Sequence, residues 1–419
     1  MAIQRPPHLD PPPPGEGGGR ERLNRGVLTL GWVSFLTDVA SDMIFPLLPD
    51  FLTRTLKAGP AALGLIEGIA EATASFTKLL SGWWSDRVGR RKPLVVAGYS
   101  IAAVARPLVG LATSWGQVLA IRFTDRLGKG IRTSPRDALL ADLVPAEKRG
   151  RAFGLQRAMD NAGAVAGPLL AAFLLKFVFD DERLVFLLAA IPGLLAVLLL
   201  IFAVKEPPRQ RPIARASAAP LGPLPKRFWR AIAVFVLFTL ASSTDAFLLL
   251  RASDAGIPLW QLPLLWAVFH AVKAAAGVPG GALADRIGRI PTIAAGWMVY
   301  AVSYVGFAYV SGPTQLWGLF GFYALFYALT EGAERALVAD LVPPEMRGRA
   351  FGAFHASVGL AALPASVLFG VWWKLFGPRV AFLIGAAIAV AAAGALIAFR
   401  TRHDPSPATP SPDFPSGRT

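Results

Sequence analysis

The sequence predicts an all-α membrane protein in which 12 transmembrane helices form two pseudo-symmetric six-helix bundles. Of the 419 residues, 54% are hydrophobic and 16% are charged, and the mean hydropathy is +0.49, which lies outside the balance of soluble domains. Apolar runs of about 20 residues, each long enough to cross a hydrocarbon core of roughly 30 Å, follow one another along the chain. The polar stretches between them recur at half-chain spacing, which indicates a duplicated bundle.

Two pairs of polar stretches carry the evidence for duplication. GWWSDRVGRRKP at 82–93 is echoed by GGALADRIGRIP at 280–291. ADLVPAEKRGRAFG at 141–154 returns as ADLVPPEMRGRAFG at 339–352, with two differences. Because the two pairs have nearly the same offset, each half presents its segments in the same order, and the repeats are parallel.

The predicted helices follow from the apolar runs in chain order. Helices 1 to 6 cover 27–52, 61–84, 94–113, 117 onward, 152–178 and 183–204. Helices 7 to 12 cover 228–250, 260–283, 292–311, 315–337, 349–376 and 381–399. Gly163 and Gly167 allow close approach of helix 5 to a neighbour, and Pro168 supplies a bend.

The distribution of basic residues predicts the orientation in the membrane. The formal net charge is +15, and Lys and Arg concentrate in the N-terminal tail, in alternate loops and in the central linker. By the positive-inside rule, both termini lie in the cytoplasm of a multi-pass inner-membrane protein, and this pattern does not indicate nucleic-acid binding. The absence of cysteine excludes disulfides and thiolate metal sites. The expected units are a disordered tail, the first bundle, a basic linker, the second bundle and a disordered tail, at 1–26, 27–204, 205–227, 228–400 and 401–419.

Acidic residues on the first two predicted helices form the candidate proton-coupling group. Asp38 and Asp42 lie one turn apart on helix 1, and Glu67 and Glu71 share a face of helix 2. Because buried like charges repel one another and lose hydration, the four carboxylates cannot all be ionised cheaply, so at least one should bind a proton near neutral pH. His270 on helix 8 occupies the repeat position of Glu71 and completes the group.

Charged and aromatic residues on other helices are the candidate lining of a solute cavity. Arg122 and Arg126 follow one face of helix 4. A desolvated guanidinium there could bind an anionic group of the solute or hold a carboxylate such as Asp38 or Glu71. Acidic and basic residues within the helices balance nine to nine, so part of them should form structural ion pairs. The further candidates are Arg157, Asp160, Asp245, Tyr323, Tyr327, Glu331, Arg335 and His355.

The repeated hairpins after helices 2 and 8 are the candidate gating latches. A carboxylate is stabilised by the unpaired amides at the start of a helix. We therefore expect Asp86 to contact 348–351 and Asp285 to contact 150–153, each in the opposite half. The residues concerned are Gly82, Asp86, Arg87, Gly89, Arg90, Arg91, Gly281, Asp285, Arg286, Gly288 and Arg289.

These motifs resemble those of the major facilitator superfamily, over the whole span from helix 1 to helix 12. The family's loop G-x-x-x-D-R-x-G-R-[RK] is filled at 82–91, and its weaker second copy at 281–290 has Ile290 in place of a basic residue. In the family's helix-4 motif R-x-x-x-G-x-G-x-G, Arg126 stands where the first Gly is expected. GAVAGP, containing Gly163, Gly167 and Pro168, is similar to the helix-5 signature of proton-coupled antiporters, with Ala171 and Ala172 in place of its final glycines.

The resemblance implies a secondary transporter that works by alternating access, with a cavity lined by helices 1, 4, 7 and 10. The leading expectation is proton-coupled antiport, hence efflux, of a small organic solute, as in drug:proton antiporters. The alternatives are an exporter of metal ions or metal chelates, facilitated transport of an organic anion, and a non-transporting sensor. No nucleophile with an adjacent base suggests an enzyme, and no cofactor or resident metal is expected. The expected partners are the lipid bilayer, a small-molecule solute and protons, and the chain is expected to be monomeric.

Overall fold

The computed structural model describes residues 25–88, 90–145, 148–206 and 222–401, and within these ranges the chain is entirely helical apart from short loops. Nearly all of both predicted tails and 207–221 of the predicted linker lie outside the described residues. The same holds for Gly89 and for the side chain of Asp86.

The helices of the first half correspond to the predicted apolar runs. The first run is divided, because Pro46 and Pro49 lack the amide donor that a regular helix requires. Short turns therefore carry it on to Thr55. The helices are α1 (Arg25–Asp42), α2 (Leu48–Asp50), α3 (Pro60–Val88), α4 (Lys92–Ala105, extended by a 3-10 turn over Arg106–Leu111), α5 (Trp115–Asp142), α6 (Arg149–Phe177), α7 (Glu182–Leu188) and α8 (Ala190–Ala203).

The second half differs from the prediction at two places. Predicted helix 7 was one span over 228–250, whereas the structure breaks it at 242–245. Predicted helices 11 and 12 run on as one element with a break at Gly377, whose φ of 82° favours a residue without Cβ. The helices are α9 (Lys226–Ala241), α10 (Ala246–Asp254), α11 (Leu262–Ile287), α12 (Arg289–Tyr309), α13 (Pro313–Asp340) and α14 (Arg347–Thr401).

The protein is an integral multi-pass membrane protein. In the part of the chain that the structure describes, eight helical segments are long and apolar enough to cross a membrane. The long helices α3, α5 and α13 are not among these segments, and each carries charged candidate residues, such as Glu67, Arg122 and Glu331. The arrangement as two six-helix bundles remains a prediction.

Helix packing in the first half recurs in the second. Helix α1 packs on α6 and α8, and α3 and α4 pack on α5, while α9 packs on α14, and α11 and α12 pack on α13. The halves meet where α3 packs on α14 and where α6 packs on α11. A Cβ at Gly163 would lie 2.5 Å from the Phe35 carbonyl oxygen, and one at Gly167 2.6 Å from that of Val39, so α6 approaches α1 as closely as the sequence predicted.

The cleft between the halves has one closed end. We call the end with the loops at 90–91, 143–145 and 341–346 the basic end. At the opposite end, Leu47, Leu48 and Phe51 are 0% exposed. There the Arg54 guanidinium of the first half donates a hydrogen bond of 2.7 Å to the Ser253 carbonyl oxygen of the second. Charged residues deep in the bundle, among them Glu71 and Lys129, are exposed. The cleft is therefore open toward the basic end.

Candidate functional site

The helix break at 242–245 places Asp245 in the middle of the second half. A break leaves backbone N–H and C=O groups without hydrogen-bond partners inside the helix, so other groups must bond to them. The Tyr300 hydroxyl donates to the Ala241 carbonyl oxygen at 3.1 Å, and Ser243 Oγ lies 2.9 Å from the Tyr304 hydroxyl. Two tyrosines of α12 thus form hydrogen bonds with the broken segment and hold it in place.

The Asp245 carboxylate is held by two phenol hydroxyls. Tyr323 donates to Oδ1 at 2.6 Å and Tyr327 donates to Oδ2 at 2.9 Å. The two tyrosines are four residues apart on α13 and therefore share a face. The sequence named all three residues as cavity candidates, and the structure brings them together.

One carboxylate near the basic end of the cleft faces three cations. Glu331 of α13 pairs with Lys273 of α11 at 3.3 Å and with Arg335 at 3.1 Å. It also pairs with Arg157 of α6, which belongs to the first half. The Arg157 and Arg335 side chains are 50% and 54% exposed. We call Arg157, Lys273, Arg335 and Glu331 the basic cluster.

In the first half, Arg122 is paired with Glu67. Arg122 Nε lies 2.8 Å from Oε1, and Nη2 lies 2.6 and 2.7 Å from the two carboxylate oxygens. Both side chains are 6% exposed. The sequence suggested Asp38 or Glu71 as the carboxylate, but Glu67 and Arg122 each lie seven residues into helices that start at the same end, so they are level. Glu71 is one turn deeper.

A second buried pair joins Arg106 to Asp125. Arg106 Nε lies 2.8 Å from Oδ1, and its Nη1 donates to the Thr37 carbonyl oxygen at 3.0 Å. Arg122 and Arg126 approach the other carboxylate oxygen to 3.6 and 3.9 Å. The sequence analysis did not single out Asp125, although an acid inside a basic helical stripe signals such a role.

The remaining proton-coupling candidates lie around the cleft. Asp42 accepts a hydrogen bond of 2.9 Å from Trp266 Nε1 of the second half. Asp38 is half-buried, Glu71 is exposed, and His270 packs its ring edge-on against Trp266. With Asp42 bonded to Trp266 and Glu67 to Arg122, the four carboxylates do not form one cluster.

Two further cavity candidates also lie apart from the buried pairs. Asp160 is half-buried, and its Oδ1 has no hydrogen-bond partner within the described residues. His355 packs against Phe354.

Two of the hairpin arginines form ion pairs within their own half. Arg91 pairs with Asp142, and Arg289 pairs with Asp340 at 2.8 Å, and each pair spans 51 residues. By its ion pair, Arg289 corresponds to Arg91. The motif alignment instead matches Arg289 to the residue one position before Arg91. Asp285 is exposed and accepts no hydrogen bond from the described residues, so its predicted latch is not formed in this structure.

Comparison with known proteins identifies the family. The family model described as Major Facilitator Superfamily matches residues 30–333 and 264–418. An uncharacterized MFS-type transporter of Methanocaldococcus jannaschii is 35% identical over 378 residues, which cover 88% of this chain and 93% of that protein.

More distant relatives carry functional names. The cis,cis-muconate transport protein of Acinetobacter baylyi is 23% identical over 355 residues, covering 81% of this chain and 85% of the relative. The multidrug resistance protein MdtH of Salmonella paratyphi B is 26% identical over 337 residues, covering 79% and 82%. A mutant of the nucleoside transporter NupG shares the fold, with a TM-score of 0.77 at 15% identity over 90% of this chain and 100% of that one. The chain belongs to the Major Facilitator Superfamily and is a membrane transporter rather than an enzyme.

Proposed function

We propose that this protein exchanges a small organic solute for protons by alternating access, and that it exports the solute. The observation that carries the proposal is the hydrogen bond from Trp266 to Asp42, which joins a titratable carboxylate of one half to the other half in a cleft open at one end. The proposal includes twelve spans in two six-helix bundles, with the basic end in the cytoplasm.

The Asp42 carboxylate can couple protons to opening because its hydrogen bond depends on charge. A hydrogen bond to a charged group contributes about 1.5–3 kcal/mol, against about 0.5–1.5 kcal/mol for a neutral pair. Protonation of Asp42 therefore destabilises the form in which the opposite end is closed by about 1 kcal/mol. This lowers the population of that form relative to the open one roughly fivefold.

This dependence on charge fits an exchanger. After Asp42 releases its proton on the basic side, the strengthened bond holds the opposite end closed. The solute must then supply the free energy that breaks the bond. Opening of the opposite end without bound solute is thereby disfavoured. Asp38, one turn away, and Glu71 are further carboxylates of the cleft.

Proton flux in reconstituted vesicles tests the proposal. Vesicles loaded with a pH-sensitive dye receive benzoate, ethidium or uridine in the presence and absence of a pH gradient. We expect one of these solutes to drive proton movement through the wild type. We expect Asp42→Asn to exchange that solute with itself while its proton flux falls to the level of empty vesicles.

The control for this experiment is Asp180→Asn, a change of an exposed acid in a loop at the opposite end. It should leave proton flux unchanged. Should the wild type accumulate solute equally with and without a gradient, antiport fails and facilitated transport of an organic anion replaces it.

A further inference from the structure

We infer that the transported solute carries a carboxylate that binds Arg157, Lys273 and Arg335, at the place that the Glu331 carboxylate occupies in this structure. The inference rests on the proposed transport function and adds the chemical class of the solute. It starts from the charge balance of the basic cluster, in which one carboxylate meets three cations.

The basic cluster differs from the other ion pairs of the interior. Arg122 with Glu67 and Arg106 with Asp125 are buried, with side chains no more than 6% exposed. In each of these pairs the two charges neutralise each other, so neither leaves a charge for the solute. In the basic cluster, the side chains of the two arginines are about half exposed, and the positive charge is in excess.

Two acids of the second half that lie near the cluster do not remove this excess. The next acid on α13, Glu334, accepts a hydrogen bond of 3.3 Å from Trp297 of α12 and is thereby committed to another helix. Asp245 is held by Tyr323 and Tyr327. The cluster therefore has the capacity for a second anion.

The geometry favours a carboxylate on an apolar body. Guanidinium groups bind carboxylates through two parallel hydrogen bonds, and the pair gains strength in a cleft shielded from bulk water. The Lys273 ammonium lies 4.3 Å over the Tyr327 ring, and Phe269 packs edge-on against that ring at 5.5 Å. Phe269 is buried and supports the Tyr327 ring, which is half-buried, adjoins the cations and can contact the body of the solute.

The position of Glu331 gives binding a mechanical consequence. Its pair with Arg157 crosses between the halves. When the solute carboxylate pairs with Arg157, the ion pair between Arg157 and Glu331 breaks. The connection between the halves then runs through the solute. Glu331 and the solute compete for the same cation, so removal of the Glu331 charge should strengthen solute binding.

Thermal stabilisation of the purified full-length protein tests this competition. The probes are benzoate, its neutral analogue benzamide, the cation benzylammonium, and inorganic phosphate. We expect benzoate alone to raise the Tm of the wild type. In Glu331→Gln the benzoate Kd should fall about tenfold, and in Arg157→Gln it should rise about tenfold, because each change alters one charge-assisted contact.

Opposite effects of these two variants separate binding from a structural role, since loss of a structural ion pair would weaken binding in both. Arg230→Gln, a change of an exposed arginine of α9, is the matched control and should leave the Kd unchanged. The inference is overturned if benzylammonium stabilises more than benzoate, or if Glu331→Gln weakens benzoate binding. It is also overturned if phosphate alone binds, or if benzoate stabilises neither the wild type nor Glu331→Gln.

This binding assay needs no pH gradient, so the two proposals can fail separately. Benzoate binding with the expected variant effects but without proton flux would refute exchange and leave the solute class standing. Proton flux driven only by ethidium or uridine would do the reverse.

Discussion

Replacement of Arg122 by lysine tests whether this residue stabilises the fold or binds the solute. The arginine makes three close contacts with the Glu67 carboxylate, between 2.6 and 2.8 Å, and both side chains are buried. Lysine keeps the charge but presents a single ammonium, so Arg122→Lys should lose at least one charge-assisted hydrogen bond, or about 1.5–3 kcal/mol of unfolding free energy. Arg122→Met leaves the Glu67 charge uncompensated and should cost more, about 3–5 kcal/mol.

The assay is equilibrium unfolding of the purified variants in detergent, with benzoate binding measured on the same samples. Arg122→Met combined with Glu67→Gln removes both charges and should recover part of the loss of Arg122→Met, because no uncompensated charge is left at Glu67. The reasoning is refuted if Arg122→Lys is as stable as the wild type while benzoate binding is lost. That result would make Arg122 a residue of the solute site.

Three further predictions concern single contacts. Tyr327→Phe should lower the unfolding free energy by about 1–2 kcal/mol, because it removes one of two donors to Asp245, and Tyr323→Phe should have a similar effect in the same unfolding assay. Gly167→Leu should destabilise by at least 1–3 kcal/mol, since even its Cβ would lie 2.6 Å from a carbonyl oxygen of α1. A Cβ at Gly154 on the same helix would meet no atom within 4 Å, so Gly154→Leu should be tolerated. Arg54→Gln removes the hydrogen bond to Ser253 and should widen the distance between spin labels at 113 and 311, and an unchanged distance would show that this bond does not hold the opposite end closed.

The repeated stretches at 141–154 and 339–352 coincide with helix ends, although they served in the sequence only as evidence of duplication. ADLVP marks the last turn of α5 and of α13, which end at Asp142 and Asp340. A helix end depends on local residues, so the sequence records it directly. The break at 242–245 was missed because it contains no Pro or Gly, although Ser242, Ser243 and Thr244 form a polar run inside an apolar segment.

Ion-pair partners could not be predicted from the sequence. The charges on α3 and α5 were assigned to the interior, but which acid meets Arg122 depends on the relative depth of two helices. That depth is set by where each helix begins at the opposite end. The within-half pairs of Arg91 and Arg289 were missed because one residue differs between the two hairpins, and this shifts the motif alignment against the structure.

The two halves share the same helix packing but differ in the chemistry of their interior side chains. Arg289 lies 198 positions after Arg91, as Asp340 does after Asp142, and at this offset Tyr304 matches Arg106 and Tyr323 matches Asp125. The ion pair of the first half, 2.8 Å long, is thus replaced by two aromatic rings whose centroids are 6.4 Å apart.

Backbone approach did not change with this replacement. A Cβ at Gly98 would lie 2.7 Å from the Arg132 side chain, and one at Gly296 would lie 2.5 Å from that of Thr330, its counterpart. Small residues at helix contacts preserve the architecture, whereas side chains facing the cleft are free to diverge. In the solute site proposed above, the carboxylate meets Arg157 of the first half and Lys273 and Arg335 of the second, with the half-buried Tyr327 ring beside them, so the two halves contribute unequally to the site.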